Sequence, residues 1–196
     1  MVGDQEDGQG AAPFDRRKVV EELLAEYQSQ LHAFIRLRSG ALLRSRESSS
    51  DLVQSVCREI LQHQDRLRSP EREGFRHWLY TTAARKIANR VEHWRAQKRD
   101  VGRSVPLDDA SELDEMLRCY GSFCSPSAQL RTRAEMERIE RAFDALPDDY
   151  RDVITLHRVA GLSIEDVAER LERSVGATRM LLFRALARLA EILEQD

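Results

Sequence analysis

Gly161-Leu162-Ser163-Ile164-Glu165-Asp166-Val167-Ala168-Glu169-Arg170-Leu171-Glu172-Arg173-Ser174-Val175-Gly176 is the stretch on which the reading of this chain turns. Gly161 marks a helix end, because glycine enters the left-handed conformation of a C-terminal cap without steric cost. Ser163 followed three residues on by Asp166 resembles a capping box, with Asp in place of Glu. The helix it opens sets Ile164, Val167, Ala168 and Leu171 on one face. Glu172-Arg173-Ser174 is then a three-residue turn, and a last helix runs to about Leu193.

Two short helices joined by a tight turn, the second one basic, form the helix-turn-helix signature. In the last helix Val175, Thr178, Leu182, Leu186, Leu189 and Leu193 make one stripe, which can pack on Ile164, Val167 and Leu171. Ala177, Met180, Arg184 and Arg188 fall opposite, with Arg179 at the edge. Gly176 and Ala177 are small enough for the backbone to approach a groove wall, and first-turn amides can meet a phosphate. Arginines neutralise phosphates or read guanine with two hydrogen bonds. The pattern predicts a duplex-DNA contact through this helix.

Working outward, one helix is predicted over about 127–145. Pro147 fits the first turn of the next, which ends before Gly161. Residues 100–126 are acidic and broken by Gly102, Pro106, Gly121 and Pro126. A connection of about 25 residues is too long for the inside of a compact domain, so it reads as a flexible linker. Before it, residues 15–99 carry three helical patterns. Val19, Val20, Leu23, Leu24, Tyr27, Leu31, Phe34 and Ile35 form the first. Ser48-Ser49-Ser50-Asp51 is a capping cluster ahead of the second, Leu52, Val53, Val56, Ile60 and Leu61. Arg68-Ser69-Pro70 breaks it, and a third starts near Glu73 and passes through Phe75, Trp78, Leu79, Ala83, Ile87 and Val91. Arg85, Lys86 and Arg90 on this helix, with Asn89, His93 and Trp94 interleaved, are the mixture that opened or single-stranded nucleic acid needs: rings stack on bases while cations hold phosphates.

Composition limits the alternatives. Aromatics are 6% of the 196 residues, so a core is expected to rest on Leu, Ile, Val and Ala. The formal net charge of -3 hides an uneven distribution, with basic helices on either side of an acidic tether. Three cysteines, Cys57, Cys119 and Cys124, make no disulfide framework and fit a reducing cytoplasm. His32, His63, His77, His93 and His157 are scattered and form no metal-ligand spacing, and no phosphate-binding glycine loop is present. No metal or cofactor and no enzymatic activity are expected. No apolar run approaches the roughly 20 residues of a membrane span. The acidic, Gly-rich start over 1–14 lacks the basic and apolar parts of a signal peptide and reads as a disordered leader. The expected architecture is all-α: two small helical domains, 15–99 and 127–196, with a flexible acidic linker between them.

These residues resemble the extracytoplasmic-function (ECF) sigma factors of bacteria along nearly the whole chain. Asp51-Leu52-Val53-Gln54 looks like that family's core-binding motif. Phe75-Arg76-His77-Trp78-Leu79-Tyr80 is similar to its Phe-Arg-x-Trp-Leu signature, and Leu146-Pro147-Asp148-Asp149-Tyr150-Arg151-Asp152-Val153 to the opening of its second domain. Gly161 to Ala168 with Ser174-Val175-Gly176 resemble its helix-turn-helix. The resemblance implies that Asp51, Leu52, Gln54 and Glu59 dock on core RNA polymerase, chiefly its β′ subunit. It implies that the segment from Asp65 to Glu73 captures a flipped base, and that Arg85, Lys86, Asn89, Arg90, His93 and Trp94 lie along the minus-ten element. Ser174, Gly176, Ala177, Arg179, Met180, Arg184 and Arg188 would read the minus-thirty-five element. The linker would thread toward the active-site and RNA-exit channels between β′ and β, and an anti-sigma protein is a candidate further partner. Against the family pattern, Ser55, Val56 and Cys57 follow the first motif, and Arg90 stands where an acid is frequent. A common Lys-Ser-Arg appears as Arg179-Met180-Leu181, and the arginine missing at Leu181 is expected to bear on base readout. Two other readings fit the helical pattern: a stand-alone helix-turn-helix regulator, and a protein-interaction module that has lost DNA binding.

Overall fold

A computed structural model describes residues 15–67, 71–95 and 131–195. The leader over 1–14, the Arg68-Ser69-Pro70 break, the linker over 100–126 and the predicted helix ends at 96–99 and 127–130 lie outside them.

The N-terminal bundle has three helices. Helix α1 (Arg16–Arg44) is capped by Asp15, whose side chain accepts the Lys18 N–H at 3.2 Å. Helix α2 (Ser49–Gln62) opens on Ser48, as the capping cluster predicts, with the Ser48 side chain accepting from the Ser50 N–H at 3.2 Å. Helix α3 (Arg72–Arg95) begins one residue before the predicted start. Leu31, Phe34 and Ile35 of α1, Ile60 of α2, and Phe75, Leu79 and Tyr80 of α3 are fully buried between them. Aromatic rings, few as they are, sit in this core beside the aliphatic side chains on which it was expected to rest. The Phe34 and Tyr80 rings lie 5.0 Å apart and Tyr27 and Phe75 6.0 Å apart, distances at which tilted rings attract beyond their area.

The C-terminal bundle consists of α4 (Arg131–Asp144), α5 (Asp148–Ile154), α6 (Ile164–Arg170) and α7 (Val175–Gln195). Pro147 is the residue before α5, with φ -54 and ψ 149, and not its first helical residue. Its extended ψ makes the corner between α4 and α5, which a helical ψ would remove. Arg151 then reaches back across the corner. Its Nε donates to the Phe143 carbonyl at 2.9 Å, its Nη2 to the Leu146 carbonyl at 3.0 Å, and its Nη1 pairs with Asp148 at 3.2 Å. The Leu-Pro-x-x-x-Arg pattern is therefore a corner brace: the arginine satisfies carbonyls that the end of α4 leaves open. Helix α5 ends in a widened π turn over Thr155–Val159, closed by the Ala160 N–H on the Thr155 carbonyl at 2.8 Å. Gly161 follows with φ +66, the left-handed position expected of it. Ser163 caps α6 by accepting the Asp166 N–H at 3.0 Å, and Glu172 with φ 52 turns the chain into α7.

The two bundles pack on each other through the last third of α1. Gly40 has φ +65, and a Cβ there would lie 3.4 Å from Arg151 Nη1, so the kink allows close approach to the corner brace. Ion pairs between arginines of α1 and carboxylates of the C-terminal bundle cross the junction. Arg36 meets the buried Glu140 at 2.5 Å, Arg38 meets Asp152 at 2.7 Å, and Arg44 meets Asp144. Arg76 of α3 lies beside Gly161, where a Cβ would stand 3.3 Å from its Nη1. A cleft of about 380 Å³ remains at this junction, lined by Arg38, His77, Asp152, Asp166, Glu169, Arg170 and Leu171. Its lining mixes acidic and basic side chains, and Arg38 and Asp152 among them are already paired with each other.

Candidate nucleic-acid interface

Helix α7 buries Thr178, Leu182, Leu186, Leu189 and Leu193 of the stripe read from the sequence, leaves its first member Val175 half-buried, and buries Ala185 as well. Leu181 is also buried, at 6% exposure. That corrects the expectation that the arginine missing there bears on base readout. Helices α4, α5 and α6 all pack on α7, so its buried arc is wider than a single partner helix would give and takes in position 181. The outward arc over the first three turns holds Gly176, Ala177, Arg179, Met180, Phe183 and Arg184. Met180 and Phe183 are 52% and 50% exposed. Phe183 was not singled out from the sequence, although its position three residues beyond Met180 places it on the same side.

Polar groups at the start of α7 have defined roles. Ser174 Oγ accepts the Ala177 N–H at 3.2 Å, and Thr178 Oγ1 donates to the Ser174 carbonyl at 3.0 Å. Ser174 is therefore committed as a cap, which fixes where the helix axis points. Arg179 reaches Glu165 of α6 at 3.4 Å, with both side chains mostly exposed. Such a pair is worth little in water and yields readily to a phosphate. Arg184 is exposed and has no ion pair among the described residues. Arg188 is half-buried and paired with Glu191 at 2.8 Å, so it stands apart from the others.

On α3, acidic residues of the same bundle answer the predicted cations. Glu59 of α2 pairs with both Arg85 and Lys86, the latter at 2.8 Å. Burial pushes the Glu59 carboxyl up, but the Lys86 hydrogen bond and the two charges outweigh it and hold the group below the usual carboxylate range. Glu47 accepts from Arg90 at 3.1 Å and from the Trp94 indole N–H at 3.1 Å. Arg46 lies 5.5 Å over the Trp94 ring, and His93 meets that ring edge-on at 5.2 Å. Asn89 and His93 are exposed. Trp94 is thus held by a carboxylate at its nitrogen and a guanidinium over its face, an arrangement that sequence spacing could not show.

The first motif divides between inside and outside. Leu52 and Val53 are buried in the bundle core, while Asp51 and Gln54 are exposed on α2. Leu52 supports the helix; only its polar neighbours face outward. Glu59 is partly covered and engaged with α3 as described. Cys57, on the same helix, is half-buried, and burial raises its thiol.

With this geometry in hand, the chain can be compared with known proteins. The Sigma-70 region 2 family model matches residues 23–100, and the Sigma-70, region 4 model matches residues 136–189. The ECF RNA polymerase sigma factor SigD of Mycobacterium tuberculosis is 27% identical over 175 residues, covering 89% of this chain and 77% of that one. The ECF RNA polymerase sigma-E factor of Escherichia coli is 30% identical over 139 residues, covering 69% of this chain and 68% of that one. Among solved structures, CnrH in complex with the cytosolic domain of CnrY has the same fold, with a TM-score of 0.56 at 19% identity over 92% of this chain and 98% of that one. The two regions occupy the two bundles in the order the fold displays, and the chain belongs to the ECF family of RNA polymerase sigma factors, subunits that direct the polymerase to promoters.

Proposed function

We propose that each bundle grips a different promoter element while α2 holds the protein on core polymerase. The domains are 15–99 and 127–196, with 100–126 as the tether and 1–14 as a leader. Asp51 and Gln54, exposed on α2, dock on the β′ subunit, with Glu59 at the edge of that contact and Leu52 supporting it from inside. Arg85, Lys86, Asn89, Arg90, His93 and Trp94 of α3 hold the unstacked minus-ten strand, phosphates on the cations and a base against the indole. The first three turns of α7 lie in the major groove of the minus-thirty-five element. Ser174 sets the helix start, Gly176 and Ala177 allow close approach, and Arg179 and Arg184 take phosphates, with Arg188 further along. The tether runs along the channels between β′ and β.

The observation that carries this reading is the outward face of α7, which presents small, apolar and cationic side chains where its partner helices leave it uncovered. The polymerase carries the chemistry, and this chain supplies recognition. Among the described residues no helix is long and apolar enough to cross a membrane. An anti-sigma protein is a further partner in this proposal, supported by the neighbour CnrH, whose structure was determined with the cytosolic domain of CnrY bound.

Run-off transcription with purified core polymerase on a genomic fragment library tests the whole reading. Discrete start sites that need this chain are expected; core polymerase that neither binds the chain nor gains new starts would refute it. Within that assay, Arg184→Ala is expected to weaken upstream duplex binding across all sequences and to lower the slope of log affinity against log salt by about 1. A slope unchanged by the substitution would remove Arg184 from the interface.

A further inference from the structure

Met180 sits at the centre of the outward arc of α7. Gly176 and Ala177 lie one turn before it, and Phe183 and Arg184 one turn after, all exposed. Arg179 and Arg184 flank it on either side of the helix. A helix laid in a groove brings its flanking cations to the two phosphate walls and its central residue to the base edges. The central residue here is a thioether, which donates no hydrogen bond and accepts only weakly. It cannot satisfy the polar edge of a G·C pair, and covering that edge would leave base groups unpaired. The apolar feature of the major groove is the C5-methyl of thymine. Phe183 extends the same apolar strip, and among the described residues the pair are the large hydrophobic side chains left exposed.

We propose that Met180, with Phe183 beside it, selects thymine in the upstream element by packing on its C5-methyl group. This rests on the placement of α7 in the major groove, and it adds which base is chosen and by what contact. The flanking arginines give affinity without discriminating; the methionine supplies the preference.

The test uses the holoenzyme and an upstream element taken from mapped start sites. Each thymine of the element is replaced in turn by deoxyuridine, which removes the methyl and leaves every hydrogen-bonding group in place. One or two positions are expected to lose about fourfold in affinity, the factor equivalent to about 0.8 kcal/mol for one buried methyl. That loss is expected to vanish in Met180→Ser and to persist in Met180→Leu. The side chain is half exposed and outside the core, so neither variant threatens folding. Indifference of the wild type to deoxyuridine throughout the element, with Arg184→Ala still lowering the salt slope, would overturn methyl readout and leave the groove placement standing. Sensitivity that survives Met180→Ser would overturn the assignment to Met180. If neither deoxyuridine nor Arg184→Ala has an effect, the groove placement itself fails.

Discussion

Phe34→Ala is expected to lower the stability of the fold by about 3–5 kcal/mol, the range for removing a large buried ring and leaving a void. Phe34 is fully buried in α1 with the Tyr80 ring 5.0 Å away and the Arg38 guanidinium 5.7 Å above its own ring. Its loss leaves Tyr80 without its ring partner, and the Tyr80 hydroxyl already has no hydrogen-bond partner among the described residues. Domain stabilities are about 5–15 kcal/mol, so the change is a large share of the whole. Urea unfolding should show a lower midpoint at unchanged slope. A shift worth less than about 1 kcal/mol would mean that the ring is peripheral to the core.

The second large effect lies at the junction between the bundles. Arg38→Met strands Asp152, which the structure pairs with Arg38 at 2.7 Å. Removing one partner of a buried pair costs about 3–5 kcal/mol, and the lower end applies because the Asp152 side chain keeps 28% exposure. The cost falls on docking of the bundles, so a single thermal transition is expected to divide into two. The effect depends on pH with a definite sign. Burial pushes the Asp152 carboxyl above its ordinary value, and the Arg38 charge is the strongest influence holding it down. A carboxyl raised in the folded state contributes stability that is full below its unfolded pKa of about 3.9 and is lost as pH rises through its folded value. Without Arg38 that folded value moves higher still. The penalty of Arg38→Met is therefore largest near neutrality and shrinks as pH falls toward about 4. Asp152→Asn in the same chain should recover part of the loss; a fully additive double variant would mean that the two residues are not coupled.

Much of this fold was legible because its signals are local. The 3.6-residue periodicity gave the buried stripe of α7, and the capping chemistry of Ser48 and Ser163 and the glycine at 161 gave the helix limits. The outward positions of Ala177, Met180 and Arg184 followed from the same periodicity, while Arg188, expected on that face, is half-buried against Glu191. The burial of Leu181 did not follow from it, because the buried arc of α7 depends on more than one packed helix, which no window of sequence displays. Pairings across long separations were equally hidden. Arg36 and Glu140 are 104 residues apart, and each reads locally as a solvated charge. The engagement of Glu59 with Arg85 and Lys86 has the same origin: residues on two helices reveal their partnership only once the bundle closes.

That engagement bears on how the α3 face tolerates its surroundings. Its cations Arg85, Lys86 and Arg90 are met by Glu59 and Glu47, so the protein brings its own counterions to this face. Under the proposed role of α3, an arriving nucleic acid would exchange with fixed carboxylates, and fewer mobile ions would be released than the cations alone would suggest. In the proposed contact, grip there depends on the fit of unstacked bases more than on bare attraction. It should persist in brine that strips nonspecific duplex away.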